Sequence, residues 1–413
     1  MNFEKKTWKR KFLAGRTEVL FSLAALVSVV LAGLAVWFIN LNRSKIPSAD
    51  KSSSSAPYEE KKMQNIPSGS ADNQWRFIPG PISMELVKKR GCVADGFLSG
   101  YGGKTNEITQ MLNRSECVYL HRALETWLKP PDFEKALAIM QSVDKKQVIY
   151  GMFIAEAIAM NREYEDSSDG NRVYHFEDMC REGTEDRWGA NTCIPSIQNV
   201  NYRRYLRAMT RQAMDLGIQS FLFGQIELQD EQPSFEKTEI KKVIDEMRKY
   251  AKEKSIQIII GGQTNDITDG RYLKIFDYIE GGVGIDNEGN VENGACFSRY
   301  SSCWGLLWNK EYSGKANNVL LHLDWSGLLY DDMGIFARMT REKRAATLDA
   351  LYQKFTFQKT GFLMPFLAVI NHENEGCYGP NKHFYAPSNK FRCKDEDAIN
   401  LIMQKKFVSS NPE

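Results

Sequence analysis

The chain has 413 residues, 54 Lys and Arg against 52 Asp and Glu, a net charge of +2 and an aromatic content of 11%. A balance this close to neutral gives no argument for a nucleic-acid partner. The length is ample for one domain with a full core.

Residues 1–18 carry Lys5, Lys6, Lys9, Arg10, Lys11 and Arg16. No charged residue follows from Val19 to Ile39. That run is long enough, at helical rise, to span the roughly 30 Å hydrocarbon layer of a bilayer. Only Arg43 and Lys45 lie close behind it. The positive-inside rule therefore predicts a cytoplasmic N-terminus, a transmembrane helix over 19–41 and everything after it across the membrane. A cleaved signal peptide is the competing reading, but the apolar run exceeds a usual signal core and continues through Trp37 and Phe38. Residues 42–74 hold Ser52 to Ser55, Pro47, Pro57 and Pro67, the composition of a flexible linker. The ordered domain is expected over 75–413.

All eight Cys (92, 117, 180, 193, 296, 303, 377 and 393) follow the apolar run. An even number in an exported chain argues for disulfides. Local pairing in order is the simplest scheme: 92 with 117, 180 with 193, 296 with 303, and 377 with 393. There is no Cys-x-x-Cys and the five His are scattered, so no metal site is expected.

From Gly91 onward, short apolar runs alternate with amphipathic segments. The runs begin at Gly91, Cys117, Val148, Ile218, Ile256, Tyr278, Val319 and Phe362, and each suits a buried strand. Helices are expected over Pro131–Val143, Tyr202–Leu216 with Gly217 as its cap, Lys237–Lys254, Arg341–Lys359 ending at Gly361, and a short stretch after Lys394. Eight such units predict a (β/α)8 barrel of the TIM type. No Gly-x-Gly-x-x-Gly follows a strand, so no dinucleotide cofactor is expected. The 161–199 segment is long for a loop and reads as a cleft wall stiffened by Cys180 and Cys193.

In such a barrel the active site lies at the C-terminal ends of the strands. The residues found there are rich in carboxylates: Asp95; His121, Arg122 and Glu125; Glu156; Glu227; Gln263, Asn265 and Asp266; Asp286; His322, Asp324 and Trp325; Asn371, His372 and Glu373. Alternation in the third run places Tyr150, Met152, Ile154 and Glu156 on one face, taken as inward. In the seventh, Leu320, His322 and Asp324 share a face and Leu321 and Leu323 the other. Converging carboxylates repel one another unless their proton affinities are put to use, as in glycoside hydrolysis.

The strand order, the carboxylate closing the fourth run and the Asp-Trp closing the seventh resemble barrel-type glycoside hydrolases. Their largest clan carries an acid/base Glu after the fourth strand and a nucleophilic Glu after the seventh. The resemblance implies Glu227, in F223GQIEL, as acid/base and Asp324, in H322LDWSG, as nucleophile or base. Here Ile226 replaces the usual preceding Asn, and Asp replaces Glu at the seventh strand; an inverting arrangement fits the shorter side chain. Glu156 is the reserve for either role. Trp325, His322, Arg122, Glu125, Gln263, Asp266, Asn371 and His372 are the expected substrate contacts, with Trp127, Trp188, Trp304 and Trp308 as further stacking candidates.

The expectation is thus a membrane-anchored, extracytoplasmic enzyme hydrolysing a poly- or oligosaccharide without a cofactor. Two alternatives stand beside it. One is a catalytically inactive glycan-binding or adhesion barrel. The other is a metal-assisted hydrolase or deacetylase using His322, Asp324 and His372.

Overall fold

The structure, a computed structural model, describes residues 80–166, 169–265, 267–291, 307–324, 331–356, 359–370 and 376–405. The expected anchor and linker, Asp266, Trp304, Trp325, Asn371, His372, Glu373, Cys296 and Cys303 lie outside the described residues. Among the described residues no helix is long and apolar enough to cross a membrane.

Strands form at every expected run: β1 (Gly91–Ala94), β2 (Tyr119–Glu125), β3 (Ile149–Ile154), β4 (Ser220–Phe223), β5 (Ile259–Gly262), β6 (Tyr278–Gly282) and β7 (Val319–His322). β8 comes in two halves, Thr360–Phe362 and Met364–Val369, split at Leu363. Neighbours pair in parallel from β1 through β8. The first half of β8 pairs with β7, and its second half pairs in parallel with β1, with Cys92 opposite Met364. The ring is therefore closed. It is a (β/α)8 barrel by its own hydrogen bonding.

The helices follow local chemistry. Val200–Leu216 starts where the Asn199 side chain accepts from the amides of Asn201 and Tyr202. It ends at Gly217, whose φ of 104° only glycine adopts at low cost. Ile240–Glu253 turns Ile240, Val243, Ile244, Met247 and Ala251 inward at helical spacing. Phe133–Gln141 and Glu396–Gln404 lie within the expected segments. Arg341–Phe355 stops at Thr356, earlier than expected, because Gly361 belongs to β8.

Two apolar clusters separate the faces of the strands. Val93, Tyr119, Ile149, Phe153, Leu222, Ile259, Tyr278, Leu320 and Leu363 fill the barrel interior. Val87, from the preceding helix Met84–Arg90, joins them and plugs the N-terminal end. Leu321 and Leu323 join the larger layer between strands and helices, as expected for β7. The expectation for β3 is corrected. Tyr150, Met152 and Ile154 belong to the helix-facing layer, while Ile149 and Phe153 face inward. Both faces of a strand inside a barrel are apolar, so alternation of hydropathy cannot tell them apart.

Cys92–Cys117, Cys180–Cys193 and Cys377–Cys393 are bonded as the local scheme expects. Their sequence separations of 25, 13 and 16 residues correspond to about 3 kcal/mol each in restricted unfolded-chain entropy. Cys180–Cys193 ties the base of the long segment after β3, which also carries an antiparallel hairpin of Glu163–Asp166 and Arg172–His175.

Candidate active site

The open end of the barrel is built from backbone irregularities at the strand ends. In β2 the register with β3 shifts between Leu120 and Leu124, and Arg122 within that bulge has a φ of 57°. A bulge re-aims side chains that simple alternation would separate. It lets the consecutive His121 and Arg122 both take part in the buried polar cluster. Gln225, just after β4, and Asn265, after β5, also have positive φ, 28° and 41°. Left-handed backbone at non-glycine residues costs free energy, and these three positions lie at or beside strand ends that carry the site.

Arg122 is the hub. Its Nε lies 3.0 Å from Asp95 Oδ1 and its Nη2 lies 4.0 Å from Glu125 Oε1. Its guanidinium sits 4.2 Å from the centroid of Phe153. The charges of Asp95, Glu125, Glu280 and Asp324 all act on it. Glu125 also hydrogen-bonds Tyr101. Burial, and after it the charge of Asp95, pushes Glu125 up to about 8.

Glu156 comes to this cluster from beyond the end of β3, not from an inward strand position. Its Oε1 accepts a 2.5 Å hydrogen bond from Gln225 Nε2. Its Oε2 occupies the space that a Cβ on Gly224 would fill, and it has no hydrogen-bond partner among the described residues. Burial raises its pKa, while Gln225 and Arg122 pull toward the anion.

Asp324 reaches the mouth on the same face of β7 as His322, as the sequence predicts. It packs against Gly282 of β6 so closely that a Cβ there would lie 2.7 Å from the Asp324 Cβ. Its Oδ2 has no hydrogen-bond partner among the described residues. Burial holds its pKa well above the carboxylate range, with Asp332, Asp331 and Glu280 adding to the rise and His322 opposing it. Asp332 accepts from the amides of Gly284 and Ile285, at 3.0 and 2.9 Å, so it fastens the β6 loop. Burial nonetheless pushes it up to about 6.

The other expected residues take different places. Glu227 lies in the first turn of a four-residue helix, Ile226–Gln229, instead of ending β4, and its Oε1 accepts from Asn265 Nδ2 at 3.1 Å. Gln263 accepts from the Gln225 amide at 3.1 Å and holds the β4 turn. Asp286 accepts from the amides of Glu288 and Asn290 within its own turn. Trp308 is bound through Nε1 to the Val283 carbonyl and packs on Phe355. Trp127 and Trp188 meet edge to face, with centroids 5.7 Å apart. Trp127 also packs on the barrel-interior cluster.

Glu280, in the middle of β6, is the main residue that sequence reading passes over. It is wholly buried inside the barrel. Its Oε1 lies 2.5 Å from His322 Nε2 and 3.4 Å from His121 Nε2. Burial alone would raise its pKa, but the two histidines hold it well below the usual range. Burial likewise opposes a charge on His322, and Glu280 outweighs it, raising His322 to about 9. Burial lowers His121. The available signal was a lone Glu between two apolar residues and a Gly pair, in Y278IEGG.

Of the residues named for the metal alternative, His372 lies outside the described residues. Among the described residues no cluster of His, Cys, Asp and Glu is arranged to hold a metal ion. His322 Nδ1 hydrogen-bonds the Leu323 carbonyl at 3.0 Å, and its Nε2 lies at ion-pair distance from Glu280.

No family model matches the sequence, and no curated protein matches it. Solved structures that align with the chain include a cyclic α-maltosyl-(1→6)-maltose hydrolase from Arthrobacter globiformis in complex with maltose, at 12% identity over 76% of this chain and 80% of that one, TM-score 0.43. An α-amylase from Malbranchea cinnamomea aligns at 8% identity over 78% and 77% of the two chains, TM-score 0.42. A debranching enzyme from Nostoc punctiforme aligns at 10% identity over 69% and 66%, TM-score 0.38. The fold assignment rests on the closed ring of strands, and no residue role is taken from these proteins. At the level of fold, the chain is a (β/α)8 barrel, shown by its own closed ring of parallel strands.

Proposed function

We propose that the barrel hydrolyses glycosidic bonds, with Asp324 as proton donor and Glu156 as the carboxylate that acts as base or nucleophile. One observation carries this reading. Asp324 and Glu156, two buried carboxyl groups at the mouth, each keep one oxygen without a hydrogen-bond partner among the described residues, and while burial raises the pKa of both, their neighbours act on them differently. Asp324 is ringed by Asp331, Asp332 and Glu280, which keep its proton on. Glu156 faces the Gln225 amide and the Arg122 charge, which favour the anion. Carboxyl groups held apart in proton affinity are the requirement for this chemistry. β3 and β7 stand opposite each other in the ring. Groups on opposite walls fit inversion, which requires a carboxyl separation of about 6.5–9.5 Å to leave room for a water.

In this mechanism Asp324 protonates the departing glycosidic oxygen. Glu156 takes a proton from a water as that water adds to the anomeric carbon. Glu227 and Asn265, both half-buried, are placed to contact sugar hydroxyls at the edge of the mouth. The adhesion alternative differs in one measurable respect, since it binds glycans without turnover. The full chain should release reducing ends from at least one member of a panel of neutral and amino-sugar polysaccharides. The new anomeric centre, followed by proton NMR, should appear inverted. Binding with no release across the panel would sink the enzymatic reading and favour adhesion.

The same proposal places the barrel outside the cytoplasm on its N-terminal helix. It is supported by the uncharged run from Val19 to Ile39 and the basic residues before it. Protease added to intact cells should remove the barrel and spare a short N-terminal fragment. Full protection in right-side-out membranes would reverse the topology.

A further inference from the structure

The hydrogen bonds inside the barrel run in one direction. His322 Nδ1 faces the Leu323 carbonyl, which can only accept, so that nitrogen carries a hydrogen. Its Nε2 faces the Glu280 carboxylate at 2.5 Å. On the other side, Tyr278 OH lies 3.3 Å from Ser220 Oγ, Ser220 Oγ 2.8 Å from Tyr119 OH, and Tyr119 OH 2.6 Å from His121 Nδ1. His121 Nε2 then reaches the same Glu280 oxygen at 3.4 Å. Along this chain, the one assignment that gives every hydroxyl hydrogen an acceptor has Tyr278 donating to Ser220, Ser220 to Tyr119, Tyr119 to His121, and His121 to Glu280. His121 is then neutral and spends its single hydrogen on Glu280. His322 Nε2 makes no well-directed hydrogen bond, yet it stands 2.5 Å from the same Glu280 oxygen, and with Nδ1 already carrying a hydrogen toward Leu323 that contact is read as an imidazolium–carboxylate ion pair. This network is buried, and none of its members is used in the proposed reaction.

We propose that Glu280 and His322 are positioning residues for Asp324: Glu280 locks His322 as an imidazolium, and His322 presents that charge to Asp324 from two positions down the same strand face. A proton donor surrounded only by acids would hold its proton too tightly to release it. The imidazolium offsets that crowding. The groups facing Asp324 and His322 come from several elements: Glu280 from β6, Arg122 from β2, and Asp331 and Asp332 from the helix after β7. Of these, Asp331, Asp332 and Glu280 favour the neutral acid, whereas His322 favours the anion. Removing His322 therefore shifts the balance in one direction only.

This inference deepens the proposed reaction, and one arm of its test stands without it. Histidine side-chain nitrogen NMR on the full chain should show His322 doubly protonated at pH 7, losing a proton only near pH 9. In Glu280→Gln the same ring should titrate below pH 7. If His322 is neutral at pH 7 in the unchanged protein, or is unmoved by Glu280→Gln, the charge couple does not exist. The second arm uses turnover of whichever glycan is cleaved. His322→Gln should move the alkaline limb of the kcat profile upward by about one pH unit or more and lower kcat at least tenfold, with KM within threefold. A structural role alone would lower activity evenly at every pH, and that result would overturn the inference. Should Glu280→Gln fail to fold, Glu280→Asp replaces it and should shift the His322 titration by a smaller amount in the same direction.

Discussion

Asp324→Asn should lower turnover by about a hundredfold to ten-thousandfold, the range typical of losing a general acid. The substitution keeps the volume and removes the proton that the surroundings hold in place. Glu156→Gln should cost about as much, because an amide cannot take a proton from the attacking water. Glu227→Gln should cost less than about tenfold if Glu227 touches only sugar hydroxyls, as its bond to Asn265 suggests. The ordering separates two readings. Resemblance to the largest clan of barrel glycosidases implies Glu227 as acid/base; the proposed mechanism assigns Glu156 and Asp324 instead. A hundredfold loss in Glu227→Gln beside mild losses in Glu156→Gln would restore the first assignment. All three variants should melt within a few degrees of the parent, since each keeps shape. Asp324→Asn in particular keeps the shape of a group whose surroundings favour the neutral form.

The sequence carries the barrel clearly because its signal is repeated. Eight apolar runs with helices between them leave few topologies for a parallel sheet. β7 reads correctly to the side chain, since Leu320, His322 and Asp324 contrast with Leu321 and Leu323. β3 does not, because Tyr150 and Ile149 are equally at home on either face. Glu156 reaches the mouth only because the strand ends at Ile154, and strand ends are set by tertiary pairing that no local pattern displays. The bulge at Arg122 is similarly silent, since no glycine marks it. Glu280 shows a different limit. A buried carboxylate is stable only with its donors, and those come from β2 and β7, far away in sequence. The disulfides were readable because each described pair is a local neighbour.

Arg122→Leu should destabilise the barrel by about 3–5 kcal/mol near neutral pH, the cost of leaving buried charge without its partner. The Phe153 contact contributes too, but a leucine keeps much of that apolar packing. The pH dependence separates charge from packing. Without the guanidinium, the proton affinity of Glu125 rises further in the folded state, while in the unfolded chain it stays near 4. A carboxyl group with a raised folded pKa favours folding fully below its unfolded value. That contribution is lost as pH climbs toward the folded value, which for Glu125 is about 8 even with Arg122 present. The variant should therefore lose stability more steeply than the parent between about pH 4 and pH 8. Near pH 4.5, where folded Glu125 keeps its proton, its deficit should shrink to a few degrees. Near pH 8 it should reach about 10 °C, taking about 2–4 °C per kcal/mol for a domain of this order of size. Thermal melts of both proteins across that range decide the matter. A deficit of constant size at every pH would mean that Arg122 serves the mouth by packing alone, and that the acids around it do not depend on its charge.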